Sequence, residues 1–318
     1  MNAVCPLTYE PLLDNETHYS RKGMRALSKT LHHLEDFPYT QAEQQEEARH
    51  LAGKLSIQGV QPKLSATLEI QQGQGIFRPT EKGGRFIIKM QSTWPHLPEN
   101  EDLTMRLAAL CGIKTPRHGL IFCKDGTLSF WIARFDRPSA RTKLPLEDFA
   151  QLSQHTRQTK YDASMEQVAR IIETYTTFPA LEKEKLLRLT LFNYLVGNED
   201  MHLKNFSLLR EGDLVKISPA YDLVNTTLAL GRAAREELAL PLVGKKNKLT
   251  RDDFLLTFAQ DRLKLSPARI THIAQGLEQG LSTCHTLIKN SFLPENLKSK
   301  YLEIIEKRKN VIFKSLVD

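Results

Sequence analysis

The hydrophobic positions of this chain fall in short runs over its first part and at helical spacing over the rest. Between Leu64 and Met90 the runs LSATLEI, IFRP and RFIIKM are separated by glycine-containing turns, and further on HGLIFC and LSFWIARF flank the turn KDGT. Short apolar runs joined by such turns are typical of antiparallel strands. The pattern therefore predicts a β-meander followed by a β-hairpin.

Helices are predicted for most of the chain beyond Pro138, where apolar residues recur three and four positions apart. The segments with this spacing are MEQVARIIETY, EKEKLLRLTLFNYLVG, the stretch Asp252–Phe258 and LKSKYLEIIEKRKNVIFKSL. Two earlier helices are predicted, one over Met24–Leu34 and one over EDLTMRLAALCG. In the second, Asn100 is the expected N-cap and Gly112 the residue that closes the last turn.

This order of elements predicts an α+β protein with two lobes. A β-rich N-terminal lobe, residues 1–138, precedes a mostly helical C-terminal lobe, residues 139–318, and the chain passes from one to the other near Arg134–Pro145. With 318 residues and 41% hydrophobic content, the chain is long and apolar enough to bury a sizeable core.

Charge and cysteine content narrow the classes of function. The 44 Lys and Arg against 37 Asp and Glu give a net charge of +7, which suits an anionic ligand such as ATP, RNA or an acidic partner, and equally an ordinary basic protein. The four cysteines lie far apart, without the paired spacing of a zinc site. No secretion signal or membrane-spanning run is found, so we expect a cytoplasmic protein with no membrane contact.

The segment GNEDMHLKNFSLL carries the strongest chemical pattern. In it Asp200 and Asn205 are separated by four residues, and Asp222 follows 17 positions after Asn205. Protein kinases use this spacing because one loop must place a carboxylate beside the substrate hydroxyl and an amide oxygen on Mg²⁺. A later aspartate is then the main Mg²⁺ ligand, since that ion prefers hard oxygen donors.

Each of these residues alone has a simpler interpretation. The spacing of Asp200 and Asn205 arises often by chance, and Asp222 could cap a turn or a helix. Asp200 and His202 could also be metal ligands of a hydrolase, although no second His or Cys lies near them in the sequence. The order and spacing of all three make the kinase interpretation the stronger one.

Two upstream segments fit binding of ATP phosphates. Lys89 lies among apolar residues of the predicted strand RFIIKM, where a buried ammonium needs an anionic partner such as a phosphate, although an edge strand could also point it into water. Glu101 is a candidate partner, although a glutamate in a first helical turn is also favoured by the helix dipole. In KLSIQGVQPKLS, Gly59 allows close backbone approach to phosphate and Lys63 adds positive charge.

With these residues identified, the chain resembles the HipA family of bacterial toxin kinases. SIQGVQPK is similar to the family's phosphate loop, FIIK to its ATP-binding strand, ARFDR to the segment near its hinge, GNEDMHLKNFS to its catalytic loop and SPAYDLV to its magnesium segment. Weaker similarities are TKYDAS, at Thr159–Ser164, and GKKNKLTRDDF, at Gly244–Phe254. The resemblance runs from about Cys5 to the C-terminus and implies a two-lobed, protein-kinase-like fold.

The resemblance implies a role for each matching position. Asp200 would be the catalytic base, Asn205 and Asp222 would hold Mg²⁺, and His202 and Lys204 would contact phosphate or orient Asp200. In the ATP site it places Ser56 as an autophosphorylated serine, the loop residues Gly59, Gln61 and Lys63, the strand residue Lys89, and the hinge residues Ile132 and Ala133.

Substrates and partners also follow from the resemblance. Family members are implied to phosphorylate aminoacyl-tRNA synthetases, the glutamyl enzyme for HipA and the tryptophanyl enzyme for HipT. About fifty residues precede the phosphate loop, too few for the extra N-terminal subdomain of HipA, so we expect similarity to HipT, the short kinase of a three-component system. The implied partners are a small HipS-like antitoxin resembling that subdomain and a helix-turn-helix, HipB-like antitoxin, with DNA reached only through the complex.

Other functions share parts of this pattern. A small-molecule phosphotransferase of the aminoglycoside-kinase type uses the same acid–asparagine–acid arrangement, but would carry an acidic pocket for a cationic substrate. A non-catalytic co-repressor subunit would use the net charge of +7 near DNA. Lys89, Asp200, Asn205 and Asp222 are all retained, which favours a toxin serine/threonine protein kinase that uses ATP and Mg²⁺ to inhibit translation.

Overall fold

The computed structural model describes residues 3–52, 63–92 and 94–313, and the chain forms two compact units. The first unit comprises Met1–Leu103, Pro116–Lys143 and Lys289–Leu293, and the second comprises Thr104–Thr115, Leu144–Ile288 and Pro294–Asp318. Each unit therefore draws on several segments of the chain. The lobe boundary between residues 138 and 139 stays a prediction.

The first unit is built on a six-stranded sheet with the strand order β1-β3-β2-β4-β6-β5. β1 pairs with β3 in parallel, and the other neighbours are antiparallel. The strands are β1 (His33–Leu34), β2 (Lys63–Gln71), β3 (Gln74–Pro79), β4 (Phe86–Lys89), β5 (His118–Phe122) and β6 (Leu128–Ala133), and the helices are α1 (Arg21–Leu27), α2 (Gln41–Ala52) and the start of α3 (Leu97–Leu110).

The predicted strands and the later hairpin are confirmed, but the predicted meander was wrong, because β4 pairs with β2 rather than with β3. β2 turns into β3 through Gln72 and Gly73, which both have positive φ, and β5 and β6 flank the predicted turn. Successive side chains along a strand point to opposite faces of the sheet, and one of these faces is apolar. On it the rings of Phe77, Phe86 and Trp131 pack with centroids 5.1–5.9 Å apart.

Two predictions about early helices were wrong. The helix expected over Met24–Leu34 is α1, which stops at Leu27, because Ser28 is extended and His33 joins the sheet in parallel with β3. A single sequence does not reveal such a non-local pairing. Asn100 does not cap α3, which already begins at Leu97, since the proline in its first turn needs no intrahelical amide hydrogen bond.

The second unit combines helices with a three-stranded sheet of order β7-β8-β9. The long helix α6 packs against α5, α8 and α10, and its residues from Leu186 onward are almost all buried. The elements are β7 (Leu146–Asp148), α4 (Phe149–Leu152), α5 (Met165–Tyr175), α6 (Pro179–Val196), β8 (Ser207–Glu211), β9 (Leu214–Ile217), α7 (Thr226–Leu230), a π-helix (Asp253–Arg262), α8 (Pro267–Ser282), α9 (Cys284–Lys289) and α10 (Glu295–Phe313), with 3₁₀ turns at Leu203–Asn205 and Gly231–Ala233.

Local signals in the sequence set several of these boundaries. Helix α5 covers the predicted segment, and Ser164 and Gln167 form a reciprocal capping box at its start. The stretch predicted as a helix near Asp252–Phe258 is a π-helix in the structure. Within the described part of the chain, no helix is both long and apolar enough to cross a lipid bilayer.

Candidate active site

Helix α6 ends just before Gly197, whose left-handed conformation turns the chain into the predicted catalytic loop. Its φ of 79° favours glycine, and a Cβ added there would lie 2.9 Å from both Asn225 Oδ1 and Thr227 Oγ1. The Gly197 carbonyl accepts hydrogen bonds from the hydroxyls of Thr226 and Thr227, each at 3.1 Å. The entry to the loop is therefore fixed by close packing and by hydrogen bonds.

Buried amides continue this support into the loop. Asn198 Nδ2 donates to Asn193 Oδ1 at 3.0 Å, and Asn198 Oδ1 accepts from the backbone amide of Asp200 at 3.0 Å. Both asparagine side chains are buried, so their hydrogen bonds are shielded from water. This chain of bonds positions the backbone that carries the predicted base.

Asn205 faces the loop with one end of its amide. Its Nδ2 donates to the carbonyl oxygen of Asp200 at 2.9 Å, and its Oδ1 is the acceptor at the other end of the same amide group. An amide oxygen in that position fits the expected Mg²⁺ ligand.

Asp222 is tied to the same loop through the residue before it. The hydroxyl of Tyr221 donates to the Lys204 carbonyl at 3.0 Å and lies 2.6 Å from Ser207 Oγ. The charge of Asp222 favours the protonated forms of Lys160 and His202, which places this carboxylate in the same electrostatic environment as the loop.

The residues present fit Mg²⁺ held together with phosphate oxygens. In residues 3–52, 63–92 and 94–313, no group of three or more His, Cys, Asp or Glu forms a metal cage. Mg²⁺ is usually bound by one or two carboxylates together with water and substrate phosphates, so Asp222 and Asn205 are sufficient as the protein's share.

Asp200, the predicted base, is about half exposed, with 49% of its side chain accessible. The phenol of Tyr161 donates a hydrogen bond to its Oδ1, and His202 Nε2 lies 3.8 Å from the same oxygen. Among the described residues, Asp200 Oδ2 has no hydrogen-bond partner. That oxygen is available to an acceptor hydroxyl.

His202 is buried beside the base and contacts a lysine that sequence reasoning did not assign. Lys160 Nζ lies 2.6 Å from His202 Nε2. Burial lowers the pKa of His202 and outweighs the opposing charge of Asp200, so the neutral imidazole is favoured at neutral pH. Lys160 and Tyr161 belong to the segment TKYDAS, whose weaker similarity to the HipA family implies no role for either residue.

The structure pairs Lys204 with Asp148 rather than with the base. The Lys204 ammonium lies 3.1 Å from Asp148 Oδ2, while Asp148 also caps α4 through Oδ1. The side chain of Lys204 is 41% exposed. Its predicted contact with phosphate stays a prediction.

In the first unit Lys89 and Glu101 form a buried ion pair, which confirms the expected pairing. Lys89 Nζ lies 2.6 Å from Glu101 Oε1, with the two side chains 8% and 0% exposed. Lys63 is directly opposite Lys89 in the β2–β4 ladder, so both lysines project from one face of the sheet. Two ammonium groups on one face of the sheet suit binding of an anion such as a phosphate.

The remaining predicted ATP-site residues are placed only in part. Ile132 and Ala133 end β6, and the Ala133 amide donates to the Arg117 carbonyl at 2.8 Å, so that amide is already used within the unit. Ser56, Gly59 and Gln61 lie outside the described residues. The hinge and loop assignments stay predictions.

Two solved structures resemble this chain and define its fold as that of a kinase. HipA of Shewanella oneidensis, solved as a complex with HipB and operator DNA, matches with a TM-score of 0.66 and 20% identity over 87% of this chain and 72% of that one. The proinflammatory kinase CtkA of Helicobacter pylori matches with a TM-score of 0.53 and 16% identity over 71% of this chain and 85% of that one.

Sequence comparison identifies the family. Residues 55–284 match the HipA-like C-terminal domain, and the chain belongs to that family. A Haemophilus influenzae protein named "Putative kinase" is 29% identical over 258 residues, 73% of this chain and 74% of the relative.

Two further relatives are kinases by name. Y4dM of Sinorhizobium fredii is 36% identical over 197 residues, or 57% of this chain, and the serine/threonine-protein kinase toxin HipA of Shewanella oneidensis is 28% identical over 195 residues, or 55%. The chain spans less than half the length of these two, 47% and 44%. Together the matches confirm the predicted enzyme class, a HipA-like protein kinase.

Proposed function

We propose that this chain transfers the γ-phosphate of ATP to a serine or threonine of a protein substrate and acts as a toxin by inhibiting translation. The observation that carries the proposal is the supported loop of the second unit. It presents the Asp200 carboxylate and the Asn205 amide together, with Asp222 tied to the same backbone through Tyr221. The kinase relatives support the same reaction.

Proton transfer in this reaction falls to Asp200. Its Oδ2 accepts the proton of the acceptor hydroxyl as the hydroxyl oxygen bonds to the γ-phosphorus and ADP leaves. Asn205 Oδ1 and the Asp222 carboxylate would hold Mg²⁺, which when bound neutralises phosphate charge. In the first unit, Lys89 and Lys63 supply cations for the ATP phosphates, with Glu101 fixing Lys89.

The proposed substrate is an aminoacyl-tRNA synthetase, with the tryptophanyl enzyme favoured by the resemblance to HipT. The Shewanella relative is named a serine/threonine-protein kinase toxin, which supports a protein substrate. Phosphoproteomics on cells that briefly express the chain tests both points. A synthetase phosphoserine should appear with the wild type and with Asp213→Asn, an exposed carboxylate of the β8–β9 turn, but not with Asp200→Asn.

Other outcomes of that experiment would exclude the proposal. A phosphorylated small molecule with no change in protein phosphorylation would favour a small-molecule phosphotransferase. Growth arrest that persists with Asp200→Asn would show that toxicity does not come from phosphoryl transfer.

The proposed partners are a small HipS-like antitoxin and a HipB-like helix-turn-helix antitoxin that carries the complex to DNA. The solved Shewanella complex contains HipA with HipB and operator DNA, which supports the second partner. Affinity purification of the chain from its native host should recover both proteins. Recovery of the chain alone, in an inactive form, would contradict this assignment.

Autophosphorylation of Ser56 is proposed as a restraint on activity. A phosphate there would add roughly −1.5 to −2 charge to the loop expected to cover the ATP phosphates, and like charges repel. The residue two positions after Ser56 is Gln58, which has no hydroxyl to phosphorylate, so control of the kinase activity should rest on Ser56. Intact-mass spectrometry after incubation with Mg²⁺ and ATP should show one added phosphate that is lost in Ser56→Ala and Asp200→Asn. An unmodified wild type would refute the proposal.

A further inference from the structure

Tyr161 contacts the predicted base from a segment about forty residues upstream. Its phenol donates a hydrogen bond to Asp200 Oδ1, while 37% of the tyrosine remains exposed. Burial raises the pKa of Tyr161, and the hydrogen bond to Asp200 acts in the same direction. The phenol therefore stays protonated at neutral pH and acts as the donor in this contact.

The ring of Tyr161 is held in place on two sides. The ring of His202 meets it edge-on, with centroids 5.0 Å apart and an angle of 84° between the planes. Lys160 Nζ lies 4.9 Å from the centre of the Tyr161 ring and, in addition, 2.6 Å from His202 Nε2. The phenol is thus aimed at Asp200 by packing that does not depend on its own hydroxyl.

The backbone of this segment is joined to the catalytic loop. The Leu203 amide donates to the Lys160 carbonyl at 3.3 Å, and the Asp162 amide closes a turn onto the Thr159 carbonyl at 2.9 Å. Just beyond the turn, Ser164 caps helix α5. These contacts fix the backbone at Tyr161 and keep its side chain beside Asp200.

We infer that Tyr161 is a positioning residue for the base: its hydroxyl holds Asp200 Oδ1 so that Oδ2 is presented to the acceptor hydroxyl. This inference rests on the proposed phosphoryl transfer. A carboxylate with neither oxygen held can rotate about its terminal torsion, which is broad for aspartate. Fixing one oxygen reduces that freedom, and geometric precision of this kind contributes to the rate of the chemical step.

The matched pair of variants is Tyr161→Phe and Tyr175→Phe. The first removes only the hydroxyl and keeps the ring that packs on His202. The second removes the same group from a tyrosine at the end of α5 that is 47% exposed. The probe is purified tryptophanyl-tRNA synthetase with Mg²⁺ and ATP, and the readouts are kcat, KM for ATP and Tm.

Tyr161→Phe should lower kcat about 10-fold, or about 1.4 kcal/mol of transition-state stabilisation, with KM for ATP and Tm unchanged. Tyr175→Phe should match the wild type in all three. A kcat for Tyr161→Phe within about twofold of the wild type would overturn the inference. A parallel change of kcat, KM and Tm would also overturn it, since it would indicate a merely structural role.

A structural comparison tests the inference independently of the substrate. Crystal structures of the wild type and Tyr161→Phe should show one orientation of the Asp200 carboxylate in the first and a reoriented or split carboxylate in the second. An unchanged carboxylate would overturn the inference. A wild type that transfers no phosphate would count against the proposed function alone, because the crystallographic result does not depend on turnover.

Discussion

Removing either member of the buried ion pair between Lys89 and Glu101 should destabilise the protein strongly. The two side chains are 8% and 0% exposed, and their charged atoms are 2.6 Å apart. Lys89→Met removes the ammonium that lies beside the Glu101 carboxylate, and Glu101→Gln removes the negative charge that lies beside the Lys89 ammonium. Loss of one partner of a buried pair costs about 3–5 kcal/mol, most of it from the uncompensated charge that remains.

Replacing both partners separates stability from nucleotide binding. In Lys89→Met/Glu101→Leu neither charge of this pair remains, and such apolar substitutions are typically close to neutral, so most of the lost stability should return. Binding of ATP should not return, because the double variant lacks the cation expected to neutralise its phosphates. The wild-type pair would then be explained by function rather than by its contribution to stability.

Urea unfolding followed by circular dichroism, with isothermal titration of Mg²⁺–ATP, measures both effects. The control is Arg78→Met, which breaks the Arg78–Glu69 pair between β3 and β2, where the side chains are 55% and 49% exposed at 3.1 Å. An exposed pair contributes about 0–1 kcal/mol. Equal losses of stability for Lys89→Met and Arg78→Met, or wild-type ATP affinity in the double variant, would refute the reasoning.

Three further changes test other parts of the structure. Asp222→Asn should abolish Mg²⁺-dependent nucleotide binding in titration calorimetry while Asp213→Asn retains it, and equal affinities would contradict the metal assignment. Arg308→Met should lower the free energy of unfolding in urea by about 2 kcal/mol, because buried Arg308 donates to the Tyr194 carbonyl at 2.6 Å and to the Thr227 hydroxyl. Lys307→Met, at an exposed neighbour, should change it by close to zero, and equal losses for the two variants would contradict this prediction. Burial raises the pKa of Glu99 above its usual 4.5, so the folded state binds more protons than the unfolded chain and this group costs stability as the pH rises past 4.5. Glu99→Gln should therefore gain stability relative to the wild type as the pH rises past 4.5, and a difference that does not change with pH would contradict it.

Sequence reasoning succeeded where the determining contacts are local. The spacing of Asp200 and Asn205 is confined to one loop, and the structure brings these two residues together through the Asn205 amide. The capping box of α5 and the turn at Gly73 are equally local, and both elements lie where the sequence predicted them. Lys89 and Glu101 are only twelve positions apart, and the cost of an unpaired buried lysine was enough to suggest the partner.

Contacts between segments far apart in the chain could not be predicted from the sequence. Lys160 lies 42 positions before His202, and Tyr161 lies 39 positions before Asp200. Nothing in this spacing indicates that the two pairs are in contact. The parallel pairing of His33 with β3 likewise joins segments that share no local pattern. Such pairings are set by the packing of whole elements, which a single sequence without homologues does not specify.

The central claim, that Asp200 is the base of a protein kinase, is tested most directly by one in vitro comparison. Wild type, Asp200→Asn and Asp213→Asn are incubated with Mg²⁺, ATP and purified tryptophanyl-tRNA synthetase, and the mass of the synthetase is measured alongside ATP binding. We predict phosphorylated synthetase with the wild type and Asp213→Asn, and none with Asp200→Asn despite ATP binding close to that of the wild type. Transfer by Asp200→Asn at the wild-type rate would contradict the claim.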